Sequence, residues 1–87
     1  MAAATIERAL RIEPSNPLLW LEYGQVRMTE GNYAQAESMG RKAVALASGD
    51  SRTQANAWRL IADSLQAQNK TTEAKQAELR VSSLSGR

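Results

Sequence analysis

Cysteine and histidine are both absent from the 87-residue chain. That removes disulfides, thiolate nucleophiles, the imidazole base and nearly every transition-metal site. Phenylalanine is absent too, and the aromatics are two Trp and two Tyr. A core made mainly from alanine requires backbones that approach closely, which favours helix packed on helix. Only two Pro and five Gly interrupt the chain, and no β-branched alternating run marks a strand. No apolar run reaches the roughly 18 residues of a membrane span. The opening MAAATIERAL lacks a basic segment followed by a hydrophobic stretch, so no signal peptide is expected. Eleven cations against nine anions give a net charge of +2. They are interspersed along the chain, which describes a solvated surface and not a nucleic-acid patch.

What is present is an internal repeat. A shift of 34 residues brings Ala2 onto Ala36, Ala9 onto Ala43 and Ile12 onto Leu46. A shift of 38 brings Trp20 onto Trp58, Tyr23 onto Ile61, Gly24 onto Ala62, Ala36 onto Ala74, Ala43 onto Val81 and Leu46 onto Leu84. Positions keep their size class in constant register through most of the chain.

Punctuation divides the same stretch into five helices, over 2–13, 17–30, 33–47, 51–68 and 71–84. Asn16 is placed to cap the second helix with Pro17 at its first position. Gly31, Asn69 and Gly49 suit left-handed stops. Asn32 with Gln35, and Ser51 with Gln54, have capping-box spacing for the third and fourth helices. Gly40, inside a helix, points to close approach of a neighbour.

Trp20, Tyr23, Gly24 and Arg27, then Ala36, Gly40 and Ala43, and again Trp58, Ile61, Ala62 and Leu65, then Ala74, Glu78 and Val81, resemble the tetratricopeptide repeat, whose signature runs W-x2-L-G-x2-Y and then A-x3-F. Arg27 stands where that family carries Tyr, and Gly40 and Glu78 where it carries a large aromatic. The resemblance implies an all-α fold, antiparallel helix-turn-helix repeats stacked as a short right-handed α-solenoid. The chain is then one domain: 2–13 the second helix of an incomplete repeat, 17–47 a repeat, and 51–84 a repeat with a capping last helix. Ala74, Ala77, Val81 and Leu84 form the stripe that this last helix buries, and the rest of it is read as polar. Within the family the first helix of each pair lines a concave groove, here 17–30 and 51–68.

On those helices Leu18, Leu21, Gln25 and Met28 recur at three- and four-residue intervals beside the Trp20 stripe. The equivalent places on the fourth helix are Asn56, Arg59 and Asp63, with Gln66. These seven residues, Leu18 to Met28 and Asn56 to Asp63, are the candidate partner-binding set: an oily wall facing a hydrogen-bonding one. The bland alternatives are that Leu18 and Leu21 are core, and that Arg59 and Asp63 pair with each other. Trp20 and Trp58 are read as packing residues.

The expected function is therefore a non-catalytic protein–protein interaction module taking a peptide or helix in the groove. Glu22, Glu30 and Glu37 lie on different faces or at helix ends, no phosphate loop exists, and Asp50 and Asp63 lack calcium-ligand spacing. No enzyme activity, metal or cofactor is expected, nor a nucleic-acid partner or membrane insertion. Compartment is left open between cytoplasm and periplasm. The alternative is a self-assembling repeat segment of a larger protein, a homo-oligomer formed through the N-terminal half repeat, where Ile6 and Leu10 are read as an uncovered edge.

Overall fold

In the computed structural model, which describes residues 2–86, five helices follow one another: α1 (Ala2–Ile12), α2 (Pro17–Thr29), α3 (Tyr33–Leu46), α4 (Ser51–Ala67) and α5 (Thr71–Leu84). No strand occurs among the described residues. Each helix packs on its neighbours in sequence, and α2 also packs on α4. Among the described residues the backbones of α1 and α3, and of α3 and α5, do not approach each other in this way. Two layers result, α2 and α4 in one and α1, α3 and α5 in the other.

Local chemistry explains where helices start and stop. The Asn16 carboxamide accepts the Leu18 N–H at 3.0 Å, with Pro17 next. Gly31 (φ 82°) ends α2, and the Asn32 N–H reaches back to the Arg27 carbonyl at 2.8 Å. Asn69 (φ 63°) ends α4 with the matching bond, Lys70 N–H to Leu65 carbonyl at 2.9 Å.

Two expected caps differ. Asn32 makes no capping bond to α3; its Nδ2 donates instead to Glu30 Oε1 at 3.3 Å. At α4 the cap is Asp50 and not Ser51. Its carboxylate accepts both the Thr53 N–H (3.2 Å) and the Thr53 hydroxyl (2.7 Å), and its charge suits the positive end of the helix dipole.

The core is two clusters joined by a seam. Ile6, Leu10 and Tyr23 are buried together, with Leu19, Trp20, Val26 and Met39 against them. Ile6 and Leu10 are therefore covered, contrary to the expected bare edge; Tyr23, Leu19, Trp20 and Val26 of α2 supply the surface against them. Ile61, Ala62, Leu65, Ala74 and Ala77 form the second cluster, flanked by Val44 and Trp58. Along the seam, a Cβ on Gly40 would lie 2.7 Å from Ile61 Cγ1 and 3.3 Å from the Ala57 carbonyl oxygen, and one on Gly24 would collide with Leu60 Cδ2. At Gly40 the buried Ile61 and the Ala57 backbone leave no room for a side chain, whereas at Gly24 the Leu60 side chain would have to shift. On α5, Ala74 and Ala77 are buried as read, but Leu79 is 70% exposed, an apolar residue on the face expected to be polar.

Two carboxylates link fold to pH. Burial pushes the Glu37 carboxyl up, but hydrogen bonds from Gln68 (3.0 Å) and Arg41 (3.0 Å), with the charges of Arg41 and Lys70, outweigh it and hold the group below its ordinary 4.5. Asp50 is held below 3.8, chiefly by the Thr53 hydroxyl and then by the Thr53 N–H. A depressed folded-state value contributes stability above the unfolded value and loses it as pH falls through the folded one. The urea midpoint should be flat from pH 7 to 5.5 and fall below about pH 4.5. The Glu37→Gln variant should lose part of that fall when followed by circular dichroism.

Candidate partner-binding groove

Between α2 and α4 lies an open groove of about 600 Å³. Leu18, Leu21 and Gln25 line it from α2, and Asn56, Arg59 and Asp63 from α4. Six of the seven residues singled out by spacing are thus brought together. Leu18 is 57% exposed and Leu21 half-buried, so neither is interior core. Their places follow from the 3.6-residue turn: Leu18, Leu21 and Gln25 share one edge of α2, while Trp20 and Tyr23 face the other layer.

Met28 is not among them. It sits at the far end of α2, where its Sδ is 3.4 Å from the Ser64 hydroxyl of α4. Periodicity gave its direction around the helix correctly, but at that depth α2 and α4 are already in contact and Met28 belongs to their seam. Glu22 lines the groove and was missed as a binding residue, although its four-residue step from Leu18 is a legible signal.

The polar side chains of the groove share one property. Among the described residues Glu22, Gln25, Asn56, Arg59 and Asp63 make no side-chain hydrogen bond or ion pair. The alternative in which Arg59 and Asp63 pair with each other does not occur. On the opposite side of α2 one polar cluster is engaged. Tyr23 donates its phenol proton to Glu7 of α1 and accepts from Arg27 Nη2 at 2.8 Å. Arg27 also bonds Glu30 at 2.7 Å and lies 4.8 Å over the Tyr23 ring. The bond to Glu7, then burial, raises the Tyr23 phenol above its ordinary 10.0, against the opposing pull of Arg27. This cluster ties α1 to α2 and has no counterpart in the groove.

The aromatic pair is structural in setting. Trp20 is half-buried, donates its indole N–H to the Pro14 carbonyl at 2.9 Å, and carries Lys42 Nζ 5.8 Å from its ring. Trp58 is also half-buried, packed against the second cluster. No helix among the described residues is long and apolar enough to cross a membrane.

No family model matches the chain, and no curated protein matches it by sequence. A solved structure does. The fold is similar to the globular C-terminal domain of P. aeruginosa LpoP, with a TM-score of 0.89 and 36% sequence identity. The match covers 92% of this chain and 76% of that one. Identity at that level across most of both chains, in a domain of the same all-helical build, means that the chain belongs to the family of the LpoP globular C-terminal domain.

Proposed function

We propose that the domain is a non-catalytic, tetratricopeptide-like interaction module that holds a peptide segment of a protein partner in the α2–α4 groove. In this reading 2–13 is the half repeat, 17–47 and 51–84 are the full repeats, and α5 caps the stack. One observation carries the proposal: among the described residues every polar side chain lining the groove is unpaired, and these side chains converge on one open groove beside two partly exposed leucines. Exposed apolar surface beside uncommitted donors and acceptors is the composition of a recognition surface. Two acids, Glu22 and Asp63, against one base, Arg59, favour a segment whose apolar anchor is flanked by a cation.

The self-assembly alternative draws its support from bare Ile6 and Leu10. Both are buried, so the groove reading is preferred.

Peptides selected from a randomised display library on the immobilised domain provide the test. Their resonance shifts in an amide NMR titration should fall on Leu18, Leu21, Gln25, Asn56, Arg59 and Asp63. Shifts confined to α1, α3 and α5 would sink the proposal.

A further inference from the structure

We infer that the outer layer holds a second binding site, between α3 and α5, for a partner segment in which an apolar side chain adjoins a carboxylate. A hollow of about 440 Å³ lies there, lined by Arg41 of α3, Trp58 and Leu65 of α4, and Ala77, Leu79 and Arg80 of α5.

One unit earlier the chain fills the matching space with its own side chains. The 38-residue register that aligns Trp20 with Trp58 also aligns Lys42 with Arg80, and each cation lies over its ring, at 5.8 and 5.3 Å. In that register Arg27 corresponds to Leu65 and Met39 to Ala77. Arg27 covers Tyr23 and bonds it, and Met39 packs against the Ile6, Leu10 and Tyr23 cluster. Leu65 and Ala77 are shorter and carry no polar group. The hollow lies beside these shorter side chains, under a Trp–cation pair that both units share. The indole N–H groups differ in the same sense: that of Trp20 is bonded to Pro14, whereas that of Trp58 has no acceptor within the described chain.

Charge selects the occupant. Arg80 makes no ion pair among the described residues. Arg41 engages Glu37 through Nε and Nη2, which leaves other donors of its guanidinium free. Glu73, the acid on the rim, precedes Arg80 by two turns on α5, roughly 10 Å along the axis and about one Debye length at 0.1 M salt. The Arg80 end is therefore positive. A planar guanidinium resting on an aromatic ring presents its edge to a carboxylate, and Trp58, Ala77 and exposed Leu79 offer an apolar seat beside it.

This site shares no lining residue with the groove. Trp58 and Leu65 lie roughly 140° around α4 from Asn56, Arg59 and Asp63. Either site stands if the other fails.

Amide NMR titration with N-acetyl-leucine, against its uncharged amide, tests the inference. Saturable shifts are expected at Ala77, Leu79, Arg80 and the Trp58 indole, weaker by about tenfold for the amide. Ala77→Met, which installs the residue of the filled unit, should abolish them. Arg80→Gln changes an exposed side chain without disturbing the fold, and should weaken binding by about tenfold. Should Ala77→Met fail to fold, Arg80→Gln decides. Shifts that do not saturate, that are equal for the amide, that fall on the groove alone, or that persist undiminished in Arg80→Gln overturn the inference.

Discussion

Leu60→Ala is expected to lower stability by about 4 kcal/mol, and the loss should depend on which residue occupies position 24. Leu60 is 1% exposed, and its Cδ2 fills the notch left by the absent side chains of Gly24 and Gly40. Removing it forfeits the transfer free energy of the side chain and leaves a cavity between three helices. Gly24→Ala alone gains helix propensity of about 1 kcal/mol but drives a methyl into Leu60, a net cost of about 1–2 kcal/mol. In the Leu60→Ala background that obstacle is gone, and the same change should be neutral or stabilising. A urea-unfolding cycle reads the coupling directly. Effects that add within about 0.5 kcal/mol would mean that the two residues do not meet.

Gly40→Val should be nearly as damaging, about 3 kcal/mol. Its Cβ would lie 2.7 Å from Ile61 Cγ1 and 3.3 Å from the Ala57 carbonyl oxygen. Ile61 is fully buried, and the carbonyl is backbone that cannot rotate aside. The branched side chain must therefore separate α3 from α4. Gly31→Ala differs in kind: its Cβ would meet nothing within 4 Å, and only the left-handed φ of 82° resists it. Thermal unfolding should rank Gly40→Val well below Gly31→Ala. Equal losses would contradict the close seam.

These contacts show what was legible in the chain. Helix ends were readable to about one residue, because Asn16, Pro17, Gly31 and Asn69 act locally. The caps at Asn32 and Ser51 were misread because neighbouring groups compete: Glu30 draws the Asn32 amide away, and Asp50 precedes Ser51 with a stronger acceptor. Azimuth around α2 placed Leu18, Leu21 and Gln25, but periodicity carries no information about where two helices converge, so Met28 was misplaced. The burial of Ile6 and Leu10 depends on the angle at which α1 meets α2. The Glu7–Tyr23–Arg27 cluster joins residues up to twenty positions apart, beyond any local spacing rule. The outer hollow becomes visible only when the two units are compared in space.

Family membership gives the fold a relative in the globular C-terminal domain of P. aeruginosa LpoP. The groove rests on this chain's own residues. Its most direct test is the affinity of a library-selected peptide for the double variant Leu21→Asp, Arg59→Glu, measured by calorimetry. Both side chains line the groove and neither is fully buried, so the variant should fold with an unchanged helical spectrum. Binding should fall at least about 100-fold, the loss of roughly 2.7 kcal/mol expected when an apolar anchor seat and a charge are both reversed. An affinity within about threefold of the parent domain, in a folded variant, would contradict the groove as the binding site.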